Sequence, residues 1–277
     1  MEVRSRLDFG PARQFIRSRR RWPILRGIAA AAEKYLRAYY NEDFYDFARN
    51  GEAFVLGQLR AWLGGAPTTI WDVGANRGDW ADEAHNALPQ ARIVGFEMVP
   101  DIFRQLAARY GSQTWITTEC LGLSDRGGPD TAYWNLAHDT TSAVSPSLDQ
   151  GPFVDGQVRT VTCQFTTGDL YAEEHGAPTF IKVDTEGHEL RVLRGCKSLL
   201  SGGNVQLMQF EYGSTYLGSG ARLEQIYELL SPLGYSIGRL FPNYVDFQKY
   251  SLRDESFRMG NYIAARDDNL IRCLAGS

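Results

Sequence analysis

Apolar positions from Ala12 to Leu63 recur at helical spacing. The first part is Ala-rich and carries Leu36, Tyr39 and Tyr40; the second carries Phe54, Val55, Leu59 and Trp62. Gly64-Gly65-Ala66-Pro67 ends the run, because Gly supplies a helix stop and Pro forbids continuation. The pattern then changes to short apolar runs alternating with helical stretches. Strands are expected at 69–73, 92–96, 114–123, 158–165, 179–183, 205–211, 235–240 and 262–265, with helices near 80–88, 100–110, 186–200 and 223–230. Strand–helix alternation of this kind builds an α/β fold with a mostly parallel sheet covered by helices on both faces. The last two strands lack a clear helix between them, which predicts an antiparallel hairpin at one sheet edge. A polar, Gly/Pro/Ser-rich stretch from 124 to 157 interrupts the rhythm and is expected to be a long functional insertion loop. The division of the chain is therefore 1–66, an N-terminal helical extension, and 67–277, one α/β domain.

Composition adds limits. The 277 residues carry 29 Lys+Arg against 33 Asp+Glu, a formal charge of −4, with 43% hydrophobic residues. This excludes a disordered or fibrous chain and makes wholesale nucleic-acid binding unfavourable, since that needs a net basic surface. No apolar run approaches the roughly 18 residues that cross a bilayer, so no membrane partner is expected. The four cysteines (Cys120, Cys163, Cys196, Cys273) are scattered without a CxxC pair, as in a reduced cytoplasmic enzyme. Arginines cluster at 13, 17, 19, 20, 21 and 26, but the apolar stretch behind them is too short and too charged for an export signal. They read as the basic face of amphipathic helices, which could attract an acidic partner, cover the site or form a homodimer contact.

Ile70-Trp71-Asp72-Val73-Gly74-Ala75-Asn76-Arg77-Gly78 is a buried strand, a Gly turn and a helix start. Gly74 lets the backbone turn sharply and approach a ligand, and Gly78 allows close packing at the helix entry. Asn76 stands where a dinucleotide-binding loop would have its second Gly, so a nucleoside ligand without a pyrophosphate fits better than NAD. Glu97 ends the next strand some 20 residues on, where a carboxylate accepts hydrogen bonds from ribose hydroxyls. Ser124 and Asp125 form a polar turn at the same edge, where an adenine amine could be held.

These segments, with Ile181-Lys182-Val183-Asp184-Thr185-Glu186-Gly187-His188-Glu189, Asn50-Gly51-Glu52 and Phe210-Glu211, resemble the FkbM-type methyltransferases. The likeness covers roughly residues 50 to 212. It implies a Rossmann-like, mostly parallel seven-stranded sheet with an antiparallel edge hairpin, and S-adenosylmethionine as co-substrate. It also implies that Asp72, Gly74 and Asn76 line the methionine moiety, that Glu97 takes the ribose, that Asp125 meets the adenine, and that Asp184 sits at the mouth. The expected reaction is O-methylation of a small hydroxylated, carboxylated or glycosylated acceptor. A hydroxyl acceptor needs a base, and the candidates are Asp184, Glu186 and His188. His188 has an ordinary pKa that suits the task. Asp184, Glu186, His188 and Glu211 could also hold a divalent metal, but their spacing fixes no coordination sphere and no metal ligand is assigned. His138 and Ser142 in the insertion, with Glu211 and Tyr212 after a later strand, are expected to line the acceptor site. The competing reading is a nucleotide-binding protein without methyl transfer, either an NAD-dependent oxidoreductase or a degenerate binding module.

Overall fold

A computed structural model describes residues 10–42, 45–136, 142–144 and 158–276. The chain divides into two compact units, 1–42 and 43–277. In the first, Pro23 opens α2 (Pro23–Tyr39), which follows α1 (Gly10–Arg19); neither helix buries a residue. The second unit begins with α3 (Glu52–Leu63), whose Val55, Leu56 and Leu59 are fully buried. The helix that the sequence assigns to an extension ending at 66 therefore belongs to the main core, and the units part at residue 42 instead.

Strands β1 (Thr68–Val73), β2 (Ala91–Phe96) and β3 (Ile116–Glu119) alternate with α4 (Asp79–Ala87) and α5 (Pro100–Tyr110). The expected strand at 114–123 then breaks. Its second half is β4 (Gly122–Leu123), which joins β5 (Gly128–Asn135), β6 (Ser142–Ala143) and β7 (Val158–Thr166) in a separate four-stranded sheet of order β4-β7-β5-β6. Part of the predicted insertion loop is thus sheet: β5 pairs β7 from Gly128↔Phe165 to Asn135↔Val158. Ala132 and Trp134 point inward with Cys163 and Phe165 from the facing strand, the period-two pattern of a half-buried strand.

The chain continues through α6 (Gly168–His175), β8 (Phe180–Val183), α7 (Glu189–Gly195), α8 (Lys197–Ser201), β9 (Leu207–Tyr212), α9 (Tyr216–Ser219) and α10 (Leu223–Leu230). It ends in β10 (Ser236–Phe241), β11 (Tyr244–Phe247), β12 (Gly260–Ala265) and α11 (Asp268–Leu274). The main sheet has the order β11-β10-β12-β9-β8-β1-β2-β3. β3, β2, β1, β8 and β9 run parallel, while β12 slots antiparallel between β9 and β10. The expected seven strands are joined by an eighth, because β11 turns back on β10 as a hairpin.

Both faces of this sheet are covered, so successive residues of one strand enter opposite cores. Trp71, Val73, Ile181, Val183, Met208, Phe210 and Tyr212 lie in one core; Ile70, Phe180 and Leu207 lie in the other, against α3, α4 and α11. That alternation sends Asp72, Lys182, Asp184, Gln209 and Glu211 to the α3 face. Register places Asp72 beside Lys182 and Lys182 beside Gln209, a polar seam across the centre of the sheet.

Candidate active site

A cleft of about 470 Å³ opens where the carboxyl ends of β1, β2, β8 and β9 meet, the place where open α/β sheets bind ligands. The turn after β1 forms its floor. Gly74 and Ala75 donate to Phe96 O at 3.0 and 2.9 Å, and Asp184 N donates to Val73 O at 2.9 Å, which ties the loops after β1, β2 and β8 together. Gly74 has φ +85°, and a Cβ there would lie 1.9 Å from the carbonyl oxygen of Asp184. Only glycine allows the two loops to approach this closely. Gly78 serves packing instead: its missing Cβ makes room for the Tyr110 ring, whose hydroxyl donates to Gly78 O at 2.7 Å.

Glu97 is buried at the end of β2. Its Oε2 accepts from Asn76 N at 3.0 Å and its Oε1 from Val99 N at 2.8 Å. Burial outweighs those two bonds and pushes its carboxyl up to about 7. Phe96, Leu121, Leu123 and Phe165 provide an apolar wall nearby, and Ser142 on β6 closes part of the opening, so the second sheet contributes to the cleft.

Asp184, Glu186 and Glu211 line the same cleft. Glu186 adopts a left-handed backbone at φ +54° in the loop ahead of α7 rather than in a helix. Burial, with Asp184 and Glu189 nearby, pushes it up to about 8. Burial and the same acids push Glu211 well above the carboxylate range. Glu189 secures the loop: its Oε1 accepts from Thr185 N at 2.8 Å and Thr185 Oγ1 at 3.1 Å. Burial raises its carboxyl to about 7.

The balancing cation is Lys182, which the sequence reading leaves without a role. Its Nζ lies 3.1 Å from Asp72 Oδ1, 3.4 Å from Asp184 Oδ2 and 5.5 Å from the centroid of the Trp80 ring. Burial alone would lower its pKa, but Asp72 and Asp184 outweigh that and raise it, so the ammonium stays charged. Asp72 is consequently a buried partner of Lys182 and does not line the cleft, whereas the resemblance implied that it lines the methionine moiety. Behind it, Gln209 Nε2 donates to Glu52 Oε1 at 2.6 Å and Asn50 Nδ2 donates to Glu52 Oε2 at 2.6 Å. The Asn50-Gly51-Glu52 segment thus buttresses the polar seam. A lysine inside the apolar run Phe180-Ile181-Lys182-Val183 was the signal in the sequence that pointed to it.

Several expectations change. His188 does line the cleft, with Nε2 2.9 Å from Ser124 Oγ, but burial and then Arg191 lower its pKa to about 4. The ring is neutral and weakly basic at neutral pH, which makes it a poorer proton acceptor than the sequence led one to expect. Ser124 is buried beneath that ring, and Asp125 is exposed outside the cleft wall. The cause is local: Gly195 of α7 packs so tightly that a Cβ there would lie 1.9 Å from Ser124 O, which holds this turn against α7. Tyr212 follows Glu211 on β9 and so faces the opposite core. There its hydroxyl lies 2.9 Å from Glu255 Oε1 and accepts from Phe257 N at 2.9 Å. It is not part of the acceptor wall. His138 lies outside the described residues.

The profile of the FkbM methyltransferase domain matches residues 72–237. The chain belongs to the FkbM methyltransferase family. Residues 72–237 are therefore a methyltransferase domain of that family, for which S-adenosylmethionine is the expected methyl donor. The hexuronic acid methyltransferase AglP of Haloferax volcanii is 29% identical over 147 residues, which is 52% of this chain and 56% of that protein. Solved structures with some similarity to the chain include the precorrin-6y C5,15-methyltransferase of Geobacter metallireducens, at 12% identity and TM-score 0.41 over 78% of this chain and 87% of that one. Another is the plantazolicin methyltransferase BpumL in complex with SAH, at 10% identity and TM-score 0.40 over 88% and 91%.

The residues of this FkbM-family cleft suit the cofactor. Glu97 offers a carboxylate to ribose hydroxyls, the Gly74–Asn76 turn leaves backbone close to the opening, and Phe96, Leu123 and Phe165 offer an apolar surface for a base. The acids suit a cation: a sulfonium held near Asp184, Glu186 and Glu211 would ease a crowding of carboxyls that Lys182 offsets in part.

Proposed function

We propose that this enzyme O-methylates a hydroxyl group on a small polyhydroxylated acceptor of the sugar type. The observation that carries this reading is the acid wall formed by Asp184, Glu186 and Glu211. An acceptor carboxylate entering there would meet the Asp184 carboxylate and would oppose the ionisation that Glu186 needs to accept a proton, whereas a hydroxyl can donate a hydrogen bond to any of the three. The hexuronic acid named for the Haloferax volcanii relative offers both groups on one ring, and the acid wall favours the hydroxyl.

The bound cofactor supplies an electrophilic methyl group. Glu186, with its carboxyl raised to about 8, is matched to accept the proton of an attacking hydroxyl near neutral pH. Asp184 is steadied by the Lys182 ammonium at 3.4 Å and orients the acceptor. Ser142 and Glu211 hold the remaining hydroxyls, and the neutral His188 can hydrogen-bond without adding charge. Holding the oxygen in line with the methyl carbon supplies much of the rate.

The test uses methyl-labelled S-adenosylmethionine with a panel of hexosides and uronic acids, followed by mild alkali. The expected product is an alkali-stable methyl ether. Glu186→Gln lowers kcat by about 100-fold, in the range of a lost general base, with little change in cofactor affinity. Release of the label by alkali identifies a methyl ester and contradicts the reading.

A further inference from the structure

We propose that the N-terminal helices are an interfacial docking surface for an anionic lipid bilayer. On α2, Ile24, Ile28, Tyr35 and Tyr39 are 68%, 60%, 66% and 59% exposed. At 3.6 residues per turn these four project within a sector of about 60°. Arg26, Glu33, Lys34 and Arg37 occupy the opposite side, where Arg37 pairs with Glu33 at 3.8 Å. Phe15 and Trp22 add a second exposed apolar pair, their rings 6.0 Å apart. The Arg19 guanidinium lies 4.7 Å from the Phe15 centroid and 5.2 Å from that of Trp22, so its charge sits at the apolar edge. Arginine on aromatic rings at the rim of an apolar face, with a basic face behind, suits a helix that lies in the headgroup region.

Charge decides between occupants. Eight basic and two acidic residues between 10 and 42 give +6, which leaves −10 for the rest of a chain of −4. The same helices of a second copy would bring another +6 against this one. The acidic unit has the opposite sign, but among its described residues the large exposed hydrophobics, Tyr45, Leu136, Leu170, Leu217, Tyr244 and Leu252, lie one apiece on separate segments. An anionic bilayer supplies an apolar layer and negative charge together, and polybasic segments are drawn to it. The expectation of no membrane partner rested on the lack of a spanning segment. Among the described residues no helix is long and apolar enough to cross, but an interfacial helix needs no such length.

The test is sedimentation of the full chain with phosphatidylcholine vesicles, with and without phosphatidylglycerol. The expected result is binding to the anionic vesicles at least about tenfold tighter than to the neutral ones, weakened by salt. Ile24→Ser with Ile28→Ser, and separately Arg20→Glu with Arg21→Glu, each lower that binding by about tenfold or more. Both variants keep wild-type helical circular dichroism and S-adenosylmethionine affinity, which shows that both units fold. Absence of binding to anionic vesicles overturns the proposal, as does binding that both variants retain. Light scattering that finds a dimer dissolved by the isoleucine substitutions overturns it in favour of a second copy.

Discussion

Lys182 shows how much one residue can organise. Its ammonium is the hub between the buried Asp72 and the cleft-facing Asp184, and it sits on a strand whose other residues are apolar. A buried pair of this kind adds little net stability over an apolar replacement, but removing one partner strands the other charge. Lys182→Met is therefore expected to lower the free energy of unfolding by about 3 kcal/mol in urea titrations. Adding Asp72→Asn to that variant is expected to restore part of the loss, since the orphaned carboxylate is then neutral. A residue whose only task were to touch substrate would change activity without this stability signature.

At the scale of elements, strand alternation sorts functional from structural side chains. β9 sends Glu211 to the cleft and Tyr212 to the far core, although the two are adjacent in sequence. Tyr212→Phe is expected to cost about 1 kcal/mol of stability by removing its hydroxyl bonds with Glu255 and Phe257, and to leave kcat/KM within about twofold of wild type. A large loss of kcat/KM would return Tyr212 to the acceptor site. The central strands of the main sheet were legible because both of their faces are buried, so they read as short, mostly apolar runs, whereas the half-exposed edge strand β11 did not. The Gly74 turn, Glu97 and the Asp184–His188 loop follow from being at the carboxyl ends of those strands. The second sheet was not legible. β5 carries Asp130 and Thr131 on a half-exposed surface, and its pairing with β7 joins residues about 30 apart through a polar stretch, which no local pattern reports. The packing of α3 into the core was hidden for the same reason: its helical period shows a buried face but not what covers it. Asp125 was misplaced because a polar turn after a strand looks alike whether it opens to a ligand or is pinned against a helix, as Gly195 pins this one.

At the scale of the whole molecule, charge is divided between a basic N-terminal unit and an acidic second unit with buried carboxyls around its cleft. Glu97 and Glu189, raised to about 7, and Glu186, raised to about 8, bind protons in the folded protein that the unfolded chain has released above about pH 4.5. Their contribution to stability is fully present below that pH and is lost as the pH rises through 7 and 8. His188, lowered to about 4, acts in the opposite sense, but only between pH 4 and its ordinary 6.5. Above pH 6.5 the acids dominate, so the free energy of unfolding is expected to fall by about 3 kcal/mol between pH 6.5 and 8 in ligand-free protein. Urea titrations across that range check the slope, and Glu189→Gln is expected to flatten it. These carboxyls are the strain that a cationic cofactor would relieve, and Glu97 is the one placed to grip it directly. The most direct test is calorimetric titration of S-adenosylmethionine into the wild-type protein and Glu97→Ala. Micromolar binding weakened about 30-fold or more by the substitution, the cost of losing about 2 kcal/mol of charge-assisted hydrogen bonding, is the predicted result. Equal affinity in the two proteins, or no heat with either, would contradict the placement of the cofactor in this cleft.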